Sequence, residues 1–203
     1  MGVTLIKWVK QISGWLVLLL SLSAAGQEGK NIQPDNLFPR VQFETAVGKV
    51  IVELDRTRAP ITSDNFLAYV ASGSYDNTIF HRVIKDFVVQ GGGYDVHYAE
   101  RQTRAPIYNE SGNGLKNQLY TIAMARDKKP HTATNQFYFN VGDNPGLDPG
   151  KDWGYTVFGM VMEGSDVLDL IAGAQTHVHP ELGWEDVPVK EILLKKATIL
   201  PAE

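Results

Sequence analysis

From residue 41 onward, hydrophobic and polar positions fall into short runs whose period changes along the chain. Val41-Gln42-Phe43-Glu44-Thr45 and Val50-Ile51-Val52-Glu53-Leu54 carry apolar residues at alternate places and flank Ala46-Val47-Gly48-Lys49, which predicts a β hairpin. Pro60 opens a stretch of helical period. Phe66, Leu67, Tyr69 and Val70 form its buried stripe, and Gly73 is placed to end it. Strand-like apolar runs recur at 78–84, 86–91, 120–125, 136–141 and 156–161. Residues 165–172 predict a second short helix with Ser165 as its cap and Gly173 after it, and 190–200 a last strand. Many short strands, two helices and glycine-rich turns predict a mainly β protein, a closed antiparallel barrel rather than a parallel βαβ sheet.

The first 26 residues are patterned differently. Lys7 and Lys10 precede the apolar run 12–22, which ends in Ser23-Ala24-Ala25-Gly26. A basic start, an apolar centre and small residues at the exit predict a secretory signal peptide cut after Ala25 or Gly26. The run is short for a membrane span of ~20 residues, so contact with a membrane is expected only through an uncleaved segment. No cysteine follows that could carry a lipid. Residues 27–40 are polar, contain Pro34 and Pro39, and read as a flexible lead-in to a single domain over 41–203.

Composition narrows the choice of chemistry. With 43% apolar and 21% charged residues the chain is ordinary globular material, long enough for one good core. Its net charge of −4 contains no basic patch that argues for nucleic acid. Removal of the leader takes two lysines with it and leaves 17 basic against 23 acidic residues, a net charge of −6. The absence of cysteine excludes disulfides, a thiol nucleophile and thiolate metal ligands.

The stretch Ile79-Phe80-His81-Arg82-Val83-Ile84-Lys85-Asp86-Phe87-Val88-Val89-Gln90-Gly91-Gly92-Gly93 sets an Arg and a Gln eight residues apart, on runs either side of a Lys-Asp turn. A second run follows, Gln136-Phe137-Tyr138-Phe139-Asn140-Val141. Phe-His-Arg, then Phe-x-x-Gln-Gly-Gly, then Gln-Phe-aromatic-apolar resembles the cyclophilins, the barrel-type peptidyl-prolyl isomerases. The likeness extends over roughly residues 41 to 200. It implies an eight-stranded closed antiparallel barrel capped by two helices. Ala123-Met124-Ala125-Arg126-Asp127 and Gly154-Tyr155-Thr156-Val157-Phe158-Gly159 resemble the bacterial exported branch of that family, which with the leader implies a periplasmic protein.

The resemblance implies acceleration of X-Pro bond rotation without a covalent step. Amide resonance sets a barrier of about 18–20 kcal/mol. A guanidinium suits this task, because it can donate to a prolyl nitrogen that becomes basic only in the transition state. Arg82 occupies the family's catalytic position, and Gln90 would donate to the substrate carbonyl. Phe87, Val88, Tyr138 and Leu147 match the proline pocket. Ala125 and Arg126 match the edge that pairs with the substrate backbone, Gln136 a second glutamine, and Tyr155 stands near a usual His. No cofactor or metal is implied. The partners implied are proline-containing segments of unfolded or partly folded proteins, met by a monomer. A second reading is a proline-peptide-binding chaperone or scaffold module with weak or no turnover.

Three positions depart from the family pattern. Gly146 stands where a Trp is common, which removes an aromatic wall and a donor and implies weak cyclosporin binding. Tyr138 replaces a Phe and puts a hydroxyl at the pocket floor or edge, and Val88 replaces a Met. Other signals are weak. His81 has no Ser or Cys nucleophile to serve and reads as a buried structural residue. Gly91-Gly92-Gly93 lacks the Lys-Ser/Thr of a phosphate loop and reads as a tight turn. His177-x-His179 has no obvious third ligand, and Asn109-Glu110-Ser111 fits a glycosylation acceptor.

Overall fold

Val41, Phe43 and Thr45 alternate inward along strand β1 (Arg40–Thr45), and Val50, Val52 and Leu54 do so along β2 (Lys49–Leu54). The two pair as the expected antiparallel hairpin. The computed structural model describes residues 31–202. After the hairpin come α1 (Pro60–Ala71), β3 (Thr78–Ile79), β4 (Arg82–Ile84), β5 (Val88–Gly91), β6 (Thr121–Met124), β7 (Phe137–Asn140) and β8 (Val157–Glu163). The chain ends with α2 (Ser165–Ala172), β9 (Thr176–His177), β10 (Val187–Pro188) and β11 (Leu193–Ile199).

Nine strands form one sheet in the order β3-β11-β1-β2-β8-β6-β7-β5-β4, every pair antiparallel. The expected closed eight-stranded barrel is corrected in two respects. The run 78–84 is two strands, because Thr78–Ile79 pairs with β11 whereas Arg82–Ile84 pairs with β5. One stretch of sequence thus serves both edges of the sheet, and the change of partner at Phe80-His81 breaks it. The edges β3 and β4 are therefore brought together by the chain itself. Among the described residues no ladder joins them, so the sheet is strongly curled without closing by hydrogen bonds.

Inside the curl lies an aromatic core. Phe43, Phe66, Tyr75, Phe137, Phe139 and Phe158 are fully buried. Phe66 meets Phe158 at 5.2 Å and Phe137 at 5.6 Å between ring centroids, in tilted and edge-on arrangements that favour the ring quadrupoles. The helix α1 adds Phe66, Leu67, Tyr69 and Val70, the expected stripe, and α2 adds Val167, Leu168 and Ile171.

The helix starts differ from their sequence reading. Ser165 does not cap α2; it is the first helical residue, and Gly164 at φ +83° takes the cap position. A Cβ at Gly164 would lie 2.1 Å from the Lys49 carbonyl oxygen, so this turn against β2 requires glycine. Pro60 opens α1 as expected, but its first turn is capped from a distance. The Glu110 carboxylate accepts from the Thr62 N–H at 2.8 Å, the Thr62 hydroxyl at 2.6 Å and the Ile61 N–H at 3.2 Å.

Within the lead-in read as flexible, Arg56 donates to the carbonyls of Ile32, Gln33 and Asn36 at 2.6 to 2.8 Å, which docks this stretch against the domain. The small hairpin of β9 and β10 was not expected; two residues per strand are too few to show a period. Among the described residues no helix is long and apolar enough to cross a membrane, and residues 1–26, read from the sequence as a signal peptide, lie outside them.

Candidate functional site

The register of five adjacent strands, β4, β5, β7, β6 and β8, assembles the site. Arg82 lies opposite Gln90, Gln90 opposite Tyr138, Tyr138 opposite Ala123, and Ala123 opposite Val157. Residues opposite one another share a face of the sheet, and the next row, Val83, Val89, Phe139 and Ile122, enters the aromatic core. The row led by Arg82 therefore faces outward. Val88, Ala123, Tyr138 and Val157 form a second, smaller apolar cluster there, with Phe87, Leu115, Ala125, Leu147 and Tyr155 packed around it.

Over this cluster opens a groove of about 260 Å³. Its lining is Arg82, Phe87, Val88, Gln90, Ala125, Arg126, Tyr138, Leu147 and Tyr155, all singled out in the sequence. Gln136, the tenth such residue, stands behind Gln90. A wider recess of about 370 Å³ lies elsewhere, between α2 and the segment before β11, lined largely by aliphatic residues such as Val47, Leu170 and Val189. The polar convergence on Arg82 marks the smaller groove as the site.

Arg82 is held on two sides. Its Nη1 donates to Gln90 Oε1 at 3.3 Å, and its Nε lies 3.7 Å from the Asp186 carboxylate. Gln90 Nε2 in turn donates to Gln136 Oε1 at 2.8 Å. Gln90 thus faces the guanidinium with its oxygen, and its amide group is shared with Gln136. Gln136 fits because residue 93 is glycine: a Cβ there would meet the Gln136 side chain at 2.7 Å. The Lys85-Asp86 turn that pairs β4 with β5 places Asp86 at φ +58°, a conformation aspartate tolerates.

Tyr138 is buried, and its hydroxyl does not enter the groove. It donates downward to Asn117 Oδ1 at 2.8 Å. Burial pushes the phenol well above its ordinary range, so it stays a neutral donor. The N–H and Nδ2 of Asn117 donate to Asp148 Oδ1 at 2.8 and 3.0 Å. Burial raises the Asp148 carboxyl, but these bonds and the Lys116 charge outweigh it and hold the group below its usual range. Asn140 and Asn144 extend the network to Thr121 and the Phe87 carbonyl. The groove floor thus rests on a buried polar layer.

Arg126 is turned along the groove wall. Its guanidinium lies 4.4 Å from the Tyr155 ring centroid, and it donates to the carbonyls of Gly154 at 3.1 Å, Asp127 at 2.9 Å and Trp153. The neighbouring Ala125 N–H is taken by the Gln136 carbonyl at 3.0 Å. Gly146 sits in a 3-10 turn (Pro145–Leu147), where an added Cβ would meet nothing within 4 Å. His81 is buried beside Tyr94 at 4.8 Å, and burial, then the charge of Arg82, lowers its pKa to about 4.

Asn117, Asp148, Leu115 and Asp186 escaped the sequence reading. The density of Asn and Asp around 109–117 and 140–148 was a signal, but it looks like exposed loop. Only their burial reveals the layer, Asn117 being 2% and Asn140 0% exposed. Asn109 is tied into the site: its Nδ2 donates to the Gly154 carbonyl at 2.9 Å and its Oδ1 accepts from the Ser111 N–H at 2.7 Å, which engages the side chain a glycan would need. His179 accepts from the N–H groups of Glu181 and Leu182 at 3.3 and 3.2 Å, so it serves its own loop.

A curled antiparallel sheet carrying a small apolar groove, with one guanidinium at its rim, defines a mainly β protein with one candidate site on its outer face. The family described as cyclophilin type peptidyl-prolyl cis-trans isomerase matches residues 40–199. A peptidyl-prolyl cis-trans isomerase, cyp18, of Streptomyces antibioticus is 49% identical over 164 residues, spanning 79% of this chain and 98% of that protein. Peptidyl-prolyl cis-trans isomerase B of Escherichia coli K12 is 42% identical over 166 residues, 78% of this chain and 98% of its own. A Cryptosporidium parvum cyclophilin crystallised in the presence of the dipeptide Ala-Pro superposes with a TM-score of 0.66 at 28% identity, covering 80% of this chain and 99% of that one. The chain belongs to the cyclophilin-type peptidyl-prolyl cis-trans isomerases.

Proposed function

We propose that X-Pro exchange takes place in the groove above Tyr138, with Arg82 as the group that breaks amide resonance. The observation that carries this reading is the meeting of a half-exposed, always-charged guanidinium with an apolar floor of one-ring size. Uncatalysed exchange takes tens of seconds or more. Reaching milliseconds requires about 5–7 kcal/mol of differential stabilisation. The proline ring would lie on Val88, Tyr138 and Leu147, between Phe87 and Tyr155, and stay fixed while its amino-terminal neighbour turns. Arg82 would donate to the pyramidal nitrogen, an acceptor that hardly exists in the planar ground state. Gln90 orients Arg82 through its oxygen, and the remaining capacity of its amide is available to the substrate carbonyl. The backbone at Ala125 and Arg126 offers the edge along which an extended peptide aligns. Measuring exchange in an Ala-Pro peptide by NMR lineshape, with wild type and Arg82→Ala, tests the assignment; undiminished exchange in the variant would sink it.

The finer expectations from the sequence belong to the same proposal. Lys7, Lys10, the apolar run 12–22 and Ser23-Ala24-Ala25-Gly26 support export of a cleaved protein to a bacterial periplasm. Its clients would be unfolded or partly folded chains, met by a monomer. Gly146 supports weak cyclosporin binding, since no side chain closes that side of the groove. Fractionation of the native host, with the mass of the mature amino terminus, tests the export reading; a cytoplasmic full-length chain would overturn it.

A further inference from the structure

Arg82 lines a second groove as well, of about 290 Å³, whose other walls are His81, Trp184, Glu185 and Asp186. The loop that makes it is built into the fold. The hairpin of β9 and β10 carries residues 178–186 towards β4, where the Val83 N–H donates to the Asp186 carbonyl at 2.9 Å. The His179 N–H donates to the Trp184 carbonyl at 2.8 Å, and the Gly183 N–H to the His179 carbonyl at 2.9 Å. The Trp184 ring packs on Tyr94 at 4.8 Å and lies 6.2 Å from His81, so the wall is backed by an aromatic cluster.

The charge of this groove is one-sided. Two carboxylates, Glu185 and Asp186, face one guanidinium, and Asp186 is already drawn to Arg82 at 3.7 Å. Glu185 is exposed and stands free of that pair. His81 contributes no charge at neutral pH, its pKa being lowered to about 4 by burial and by Arg82. Its buried Nδ1 has no hydrogen-bond partner among the described residues. A peptide with its proline above Tyr138 passes Arg82 to reach this groove, and an extended chain advances about 3.3–3.6 Å per residue.

We propose that the groove walled by Trp184, Glu185 and Asp186 is a substrate subsite for a cationic side chain, Lys or Arg, of a residue flanking the proline. Glu185 supplies the counter-charge, Trp184 covers the aliphatic stem, and Asp186 offsets the repulsion of Arg82. The inference rests on the assignment of exchange to the Arg82 groove. It adds a charge preference beside a pocket that reads proline alone.

Peptides of the frame Ala-Ala-Pro-Ala-Ala, carrying Lys or Glu in turn at each position except the proline, test it through kcat/KM for exchange. At one flanking position wild type favours Lys over Glu by about threefold, the scale of an exposed ion pair. Glu185→Lys reverses that ratio and Glu185→Gln brings it near unity. Both peptides are read on one preparation, so any loss of folded protein scales the two rates together. A ratio near unity at every position in wild type would overturn the subsite, as would a Lys preference that survives Glu185→Lys. Arg82→Ala on the all-alanine frame tests the catalytic assignment separately: retained exchange there removes the site itself, whatever the ratio.

Discussion

The hydroxyl of Tyr138 donates to Asn117 Oδ1 at 2.8 Å, beneath the groove rather than within it. In the proposed site a residue that departs from the family's Phe would therefore present the same ring face to a proline, and its polar atom is absorbed by a buried layer. Tyr138→Phe is expected to keep the exchange rate within about twofold, because no group facing the substrate changes. It lowers stability by about 1 kcal/mol, because Asn117 loses a donor while retaining Asn140 Nδ2 at 3.3 Å. Exchange kinetics and urea unfolding on the same samples check both; a tenfold loss of rate would put the hydroxyl into the chemistry.

The role proposed for Arg82 separates catalysis from binding. Donation to the prolyl nitrogen would count most in the transition state, so Arg82→Ala is expected to lower kcat by about 10²-fold or more, the scale seen when one transition-state donor is removed. Peptide affinity, which the proposal assigns to the apolar floor, is expected to change by a few-fold at most. Calorimetric titration beside NMR exchange reads the two effects. Equal loss of affinity and rate would mean that Arg82 binds rather than catalyses.

Gly146 leaves room for the missing wall. Its φ lies outside the left-handed region and its Cβ position meets nothing within 4 Å, so Gly146→Trp is expected to fold normally. The added indole covers one side of the groove and supplies an N–H donor. Covering roughly 60–100 Å² of apolar surface at about 25 cal/mol per Å² is worth about 1.5–2.5 kcal/mol, which corresponds to roughly ten- to hundredfold tighter cyclosporin binding. Unchanged affinity in a fluorescence titration would show that this wall is not what limits the ligand.

His81 makes stability depend on pH. Burial and the neighbouring Arg82 lower its pKa from 6.5 to about 4, so the folded protein holds it neutral while the unfolded chain takes up the proton. A lowered folded pKa means that stability is full above pH 6.5 and declines as the pH falls towards about 4. The total is about 3 kcal/mol. Urea midpoints measured across that range should fall in wild type and lose up to one proton of slope in His81→Gln. An identical slope in the variant would assign the acid sensitivity to other groups.

The hairpin of β1 and β2, the stripe of α1 and the Arg82 to Gln90 spacing were legible in the chain because they rest on period and local order. Alternation decides which face of a strand is wet, and the Lys-Asp turn fixes how far apart Arg82 and Gln90 stand. Other features were illegible for the opposite reason. Ser165 looked like a cap because local sequence cannot show that Lys49 crowds the preceding residue. Residues 78–84 looked like one strand because period does not reveal a change of partner. Asn117 and Asp148 escaped notice because buried and exposed polar residues of this kind read alike until their neighbours are known.

What the sequence alone determined, then, is the β1–β2 hairpin with its inward face and the stripe of α1, since each depends on residues a few places apart, while the groove residues were named through the motifs that carry the family resemblance. The tertiary structure decided the rest: the sheet order that aligns Arg82, Gln90, Tyr138 and Ala123 in one row, the descent of the Tyr138 hydroxyl to Asn117, and the reach of Glu110 to α1 and of Asp186 to Arg82. These contacts join residues from 8 to 104 places apart, as the numbering shows. Such contacts are selected by the shape of the whole core, because a polar side chain in a loop is committed to a partner only when packing brings that partner within hydrogen-bond reach.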